Sequence, residues 1–267
     1  KTVVERRTDT RKWVKVKFWQ SEFPLLCTEE RRVWTPSGWM EANQLKQNDW
    51  VEFPVRALPT KRMDVLDFSP FMRVGQGPSP RGVDEMELTF ELGWIFGLYL
   101  AEGSLTGQAN QSSWRSGIQF SLSFDEQDWA TRIQQQLLGW SKKVSVRLRE
   151  EDHSCVIVIY NTWLARAFHA WFYGNNKVCR AWTKHVPAWV QQAPNDFIDG
   201  FLGGYFAGDG HQQNGRVSVC TASAGIAGQI RDLLLSRRLG FASLGFVKGG
   251  VRQFPDRECQ TRGAWTL

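Results

Sequence analysis

The 267-residue sequence holds no Cys-x-x-Cys pair, and its five cysteines (27, 155, 179, 220 and 259) are scattered singly. An odd, dispersed set argues against a disulfide framework or a zinc knuckle and suits a reducing compartment. No uninterrupted apolar run reaches the roughly 18 residues that a membrane span needs, and no signal-peptide pattern opens the chain. The expected setting is therefore intracellular, away from membranes. Nor is the chain short of apolar residues. At 42% hydrophobic and 22% charged, it lies outside the range of wholesale disorder. There is no initiating methionine: the first residue is Lys1 and the first Met is Met40, as expected for an internal piece of a longer precursor.

What is present is basic charge at both ends. Residues 1–20 carry seven Lys/Arg against two acids, and residues 210–267 carry eight against three, within a net charge of +6. Such stretches suit a polyanion, although solvated surface has the same composition.

Residues 1–58 read as short β segments: Lys12–Trp19, Phe23–Cys27 and Asp49–Phe53, with a turn at Thr35-Pro36-Ser37-Gly38. Residues 59–87, rich in proline and weak in periodicity, read as a linker. Beyond it, a helical stretch over 88–102 leads to Ile118–Phe124, where Ile118, Phe120, Leu122 and Phe124 alternate with Gln119, Ser121 and Ser123. A helix over Asp125–Leu138 (with Asp125 as its cap), strands over 143–149 and 156–160, and a helix over 162–173 follow. The same order restarts in residues 197–267: a Gly-rich helix, a strand over 216–221, a helix over 225–238, then more strand. An offset of about 107 residues suggests an internal duplication, with the second copy shortened. The expected class is α+β, with halves at 88–196 and 197–267.

Two helices carry the chemistry. Ile95-Phe96-Gly97-Leu98-Tyr99-Leu100-Ala101-Glu102-Gly103 aligns with Leu202-Gly203-Gly204-Tyr205-Phe206-Ala207-Gly208-Asp209-Gly210. Small residues recur every fourth position, at Gly93, Gly97 and Ala101 and at Gly200, Gly204 and Gly208. Each helical glycine costs on the order of 1 kcal/mol relative to alanine, so the stripes need a reason, and close approach of another helix supplies one. Facing stripes would bring Glu102 and Asp209 together, with the following glycines permitting a sharp exit from each helix. Paired carboxylates at helix C-termini are unfavourable without a cation, and an all-oxygen donor set points to a hard ion, Mg²⁺ first. An ion held by one acid from each half suits phosphodiester hydrolysis.

The paired segments resemble the LAGLIDADG homing endonucleases over roughly residues 88–267. The resemblance implies a pseudo-two-fold pair of αββαββα halves in one chain, joined through the motif helices and acting as a monomer. It implies that Glu102 and Asp209 bind Mg²⁺, with Mn²⁺ able to substitute. The implied partner is double-stranded DNA with a long recognition site, cut across the minor groove. Intein-borne relatives carry a basic-x-x-Pro segment, matched by Lys184-His185-Val186-Pro187. Lys184 would then steady charge on phosphate or polarise water. A surface lysine beside a turn is the other reading. Lys248 is a second such candidate, and His211 lies close to the second motif. A saddle of polar sheet faces would present Gln119, Ser121, Ser123, Arg147 and Arg149 from the first half, and Arg216, Ser218, Lys248 and Arg252 from the second. A catalytically silent DNA-binding or RNA-maturase-like protein is the alternative function.

Residues 22–53 resemble part of the Hint (intein splicing) fold, through Thr28-Glu29-Glu30-Arg31, Thr35-Pro36-Ser37-Gly38-Trp39 and Leu45-x-x-x-Asp49-x-Val51. Arg31 stands where that family has its catalytic histidine, and arginine cannot shuttle a proton. The module would not splice as it stands, and a precursor or split-intein partner would have to supply missing ends. Arg6, Arg7, Arg11, Lys12, Lys15 and Lys17 would add DNA contacts. An unrelated small β-barrel is the other reading of residues 1–58.

Overall fold

The computed structural model describes residues 12–18, 24–52, 62–72, 85–106, 116–137, 144–239, 242–253, 258–261 and 263–267. Arg6, Arg7 and Arg11 lie outside these residues.

The amino-terminal part is two small antiparallel ribbons. One pairs β1 (Trp13–Val16) with β2 (Leu25–Thr28); the other pairs β3 (Arg32–Thr35) with β4 (Gly38–Glu41). The second turns at Gly38, whose φ of 104° is a conformation that glycine adopts without strain. Its Trp34 and Trp39 rings meet edge to face, 5.1 Å apart across the strands. The strand expected at Asp49–Phe53 does not form over the described Asp49–Glu52. Glu52 N donates to Trp34 O at 2.8 Å and Asp49 N to Lys46 O at 3.2 Å, and Trp50 between them is left 81% exposed.

Part of the segment read as a linker is folded. β5 (Val65–Asp67) pairs with β6 (Glu85–Glu87), and Met63 N donates to Gln192 O at 2.8 Å. Leu66 and Phe68 are buried, Phe68 with its ring 5.0 Å from Trp163 and 5.1 Å from Trp171. Met63, Phe71 and Met72 pack beside them, partly buried, and the uneven spacing of these five side chains leaves no period in the sequence. Phe68→Ala should therefore cost about 3–5 kcal/mol, as for a core aromatic. A urea midpoint unchanged from the parent would contradict this packing.

Two repeats follow. The first runs α1 (Phe90–Glu102), β7 (Gly103–Thr106), β8 (Gly117–Ser123), α2 (Gln127–Leu137), β9 (Val144–Arg149), β10 (Ser154–Tyr160) and α3 (Thr162–Phe172). The second runs α4 (Asn195–Asp209), β11 (Gly210–Gln213), β12 (Arg216–Thr221), α5 (Ala224–Ser236) and β13 (Gly245–Val247). A hairpin of β14 (Gly250–Gln253) and β15 (Glu258–Thr261) then precedes β16 (Ala264–Thr266). Their sheets have the same order, β7-β8-β10-β9 and β11-β12-β16-β13. The duplication is thus a duplication of topology, with the β14–β15 hairpin inserted in the second copy.

The elements begin where local chemistry dictates. Thr89 Oγ1 caps α1 by accepting from Leu92 N, and Asn161 Oδ1 caps α3 by accepting from Trp163 N and Leu164 N. Before α2 the cap is Ser123, in a reciprocal box with Glu126, rather than Asp125. A 3₁₀ turn over Phe124–Glu126 puts the capping position two residues earlier than the apolar period suggests.

The core is centred on α1. Its residues from Leu92 to Leu100 are all buried, so its apolar character runs around the whole helix. On one side Phe96 and Tyr99 pack on Phe168 of α3, with ring centroids 4.9 and 4.6 Å away. On β8 the helix-facing Ile118 is fully buried. Its counterpart Val217 on β12 is 56% exposed, so the second half is less fully covered at this position than the first.

Candidate active site

α1 and α4 lie side by side, pointing the same way, and glycine makes the approach possible. A Cβ on Gly93 would strike Phe197 O; on Gly97, Phe201 O; on Gly200, Phe90 O; and on Gly204, Trp94 O. Each glycine faces the other helix's main chain, so the two stripes interlock at backbone contact distance. Cα–H···O contacts are the natural consequence. At the carboxyl end, Gly208 faces Ala101 and lies beside the Glu102 side chain, whose Cγ would be 3.1 Å from an added Cβ. Glu102 and Asp209, the last residues of α1 and α4, are thereby brought to one place.

The glycines after the acids serve a different purpose from the expected one. Gly103 and Gly210 have φ of −80° and −78°, which any residue can adopt. A Cβ on Gly103 would collide with the Tyr99 ring, and one on Gly210 with Phe206 O. They are small so that β7 and β11 can leave tight against the last helical turn.

Both carboxylates are half-buried. Burial pushes Glu102 up to about 7, with the negative charges of Asp209 and Glu126 adding to the effect and Lys184 opposing it. Burial raises Asp209 as well, again opposed by Lys184. Lys184 is 4% exposed. Its Nζ donates to the carbonyl oxygens of Tyr99, Leu100 and Gly103 at 3.0, 3.0 and 2.6 Å. All three ammonium donors are thus spent where α1 ends: on Tyr99 O, which also accepts the cap N–H of Gly103, on Leu100 O, and on Gly103 O at the start of β7. Burial lowers Lys184 to about 8, although Asp209 and Glu102 pull it back up.

These shifts give a sign to the pH dependence of the metal-free protein. Folded Glu102 keeps its proton to about pH 7, whereas the unfolded chain loses it near 4.5. Between those values the folded state binds more protons, so stability falls as pH rises. The window lies below the Lys184 titration near 8, so the two do not offset each other. Thermal unfolding in EDTA should show a Tm that declines across this window, and Glu102→Gln should flatten the decline. Half-buried His185, which burial holds below its ordinary range, contributes with the opposite sign, so the difference between the two profiles is what decides: a Glu102→Gln variant with the parent's slope would refute the assignment.

The donors fit a hard divalent cation: two carboxylates beside each other, with no imidazole or thiolate among the charges acting on them. Among the described residues no group of three or more His, Cys, Asp and Glu could hold a metal. The remaining oxygens would come from phosphate and water.

The strand register places the expected groove residues. Gln119, Ser121 and Ser123 share one face of β8, opposite the buried Ile118, Phe120 and Leu122. Through β10, Arg147 and Arg149 of β9 lie on the same face: Val156 pairs with both Ser121 and Arg147, and Ser154 with both Ser123 and Arg149. Arg149 also lies 3.8 Å from Asp152. In the second half Arg216 and Ser218 share a face of β12. Lys248 is exposed between β13 and β14, and it is not among the charges acting on either acid. Arg252 pairs through its main chain with Cys259, and its side chain lies outside the described residues.

Register also reveals what the sequence reading missed. Ser104 pairs with Gln119, His211 with Ser218, and Gln213 with Arg216. The strands that leave the acids therefore contribute to the same polar faces. They are only four residues long, too short for alternation to register in the sequence. Glu126 is a third acid whose field reaches Glu102, and only the fold reveals it.

Residues 196–258 match the family model of the LAGLIDADG-like domain. This LAGLIDADG-like segment spans α4, with Asp209, through the start of β15. No curated protein matches the chain. Among solved structures, similar folds include an I-DmoI variant with its nicked target DNA and Mn, at 12% identity and TM-score 0.42, covering 67% of this chain and 87% of that one. I-DmoI with DNA and Ca is 11% identical at TM-score 0.42, covering 67% and 82%. The N-terminal LAGLIDADG domain of DUF199/WhiA is 13% identical at TM-score 0.36, covering 70% and 78%.

Proposed function

We propose that the protein is a site-specific double-strand DNA endonuclease of the intein-associated LAGLIDADG type. The observation that carries this reading is the delivery of Glu102 and Asp209 to one place by two helices packed at paired glycines. Buried acids so placed are costly to fold around, and a divalent cation would offset that cost. Glu102 and Asp209 would hold Mg²⁺, with Mn²⁺ able to replace it. When bound, the ion would supply a water of lowered pKa and a charge facing the leaving oxygen. Lys184 acts through the C-terminal carbonyls of α1, since its three donors are engaged there. Both acids come from one chain, so a monomer suffices.

Gln119, Ser121, Ser123, Arg147 and Arg149, with Arg216, Ser218, Lys248 and Arg252, would read the major groove on either side of the acids. Residues 1–58 are read as a Hint-like remnant beside the nuclease. Arg31 in that module is exposed and sits in the turn between β2 and β3.

A randomised duplex library tests the function. Incubation with Mg²⁺ should enrich cut ends at one long motif, and EDTA should abolish them. Binding without cut ends would leave the catalytically silent DNA-binding alternative in possession.

A further inference from the structure

Between α3 and α4 the chain has no helix or strand longer than the 3₁₀ turns at Ala181–Thr183 and Ala188–Gln192. Yet this segment must place a buried ammonium within hydrogen-bond reach of three carbonyls at once. Its main chain is held from the second repeat. The Gln229 side chain on α5 accepts from Val186 N at 2.9 Å and donates to Val186 O at 3.1 Å, as a neighbouring strand would. Ser223 Oγ donates to Lys184 O at 3.0 Å while accepting from Ile226 N as the cap of α5.

We infer that Gln229, aided by Ser223, is a positioning residue: it clasps the Lys184–Val186 main chain so that Lys184 holds the last turn of α1, and with it Glu102. The clasp begins on the repeat that carries Asp209 and ends on the helix that carries Glu102. It therefore fixes one carboxylate relative to the other independently of the glycine contacts further up the helices. A side chain two hydrogen bonds removed from the acids still controls where Glu102 stands. The geometry stands by itself, and the catalytic consequence rests on the endonuclease reading.

Gln229→Ala removes both bonds to Val186. Gln229→Glu keeps the acceptor and replaces the donor with a carboxylate oxygen facing the Val186 carbonyl. It serves as the second variant should the first fold poorly. In the metal-free full chain, acetic anhydride labelling of Lys184 is read by peptide mass spectrometry, with exposed Lys248 as the internal reference. The expected result is several-fold faster labelling of Lys184 in both variants and an unchanged rate at Lys248. In single-turnover cleavage at saturating duplex with Mg²⁺, the rate constant should fall about tenfold, the scale of lost supporting-shell contacts. Duplex affinity in EDTA should not change, a split that general loosening of the fold would not give. Unchanged labelling of Lys184 overturns the clasp. Faster labelling with unchanged cleavage overturns the positioning role. If the parent chain cuts no duplex, the endonuclease reading fails and the catalytic consequence fails with it, while labelling still decides the clasp.

Discussion

Replacing Gly204 with valine should abolish the folded state, whereas alanine at the adjacent Gly203 should be harmless. A Cβ at Gly204 would run into Trp94 O and stand 2.8 Å from Leu98 N, both main-chain atoms of α1. Overpacking that side chains can absorb costs about 1–3 kcal/mol. Here the neighbours are backbone, so the helices themselves must separate, and valine's extra methyls deepen the collision. The α1–α4 seam carries Phe96, Phe197, Phe201 and Tyr205, all fully buried, and opening it exposes them together. A domain stable by about 5–15 kcal/mol does not survive that loss. At Gly203 the nearest atom is Trp94 Cδ1 at 3.9 Å, an ordinary contact. Alanine there should be neutral or stabilise by up to about 1 kcal/mol through helix propensity. Urea titrations followed by tryptophan fluorescence separate the two. Equal midpoints for Gly204→Val and the parent would mean that the helices do not meet at this seam.

The helix seam was legible in the sequence because its requirement is written in residue size. Where a helix faces another backbone at this distance even a Cβ does not fit, and Gly93, Gly97, Gly200 and Gly204 recur at four-residue intervals for that reason. The β8 face was legible for a similar reason, since strict alternation records which side is wet, whereas on β9 Val146 and Leu148 alternate with the arginines and are exposed as well. Other features depend on contacts that leave no periodic trace. Residues 62–72 joined the core chiefly through Phe68 and Phe71, which meet α3 nearly a hundred positions later. Lys184 matched a motif, but its sequence could not show that its donors end on Tyr99, Leu100 and Gly103 rather than on a phosphate. Gln229 carried no signal at all, because an amide on a helix is ordinary until its partner is known. The reason given for Gly103 and Gly210 was the wrong one: their backbone is unremarkable, and the constraint is the space beside Tyr99 and Phe206.

Asp209→Asn should produce two effects of opposite sign. Asparagine has nearly the same shape but no charge, so the α1–α4 seam remains intact. A cation site with one acid loses its charge balance, and Mg²⁺-dependent cleavage should fall by about a hundredfold to a thousandfold, the range for removing one group that stabilises developing charge. Duplex affinity measured in EDTA should stay within a factor of about two, since Asp209 belongs to the carboxylate pair rather than the groove faces. Stability should move the other way. Burial raises Asp209 above its ordinary range, and its charge helps push Glu102 up to about 7. Removing it eliminates one desolvated carboxylate and relieves the other, at the expense of part of the attraction on Lys184. Metal-free Asp209→Asn should therefore melt at a higher temperature than the parent at pH 8, where Glu102 is ionised. The gap should narrow towards pH 5, where the folded Glu102 carboxyl is protonated and there is less repulsion to relieve. An inactive variant that melts lower than the parent at both pH values would mean that Asp209 contributes to stability through bonds of its own. The site would then be structural, and the need for a cation between the two acids would disappear with it.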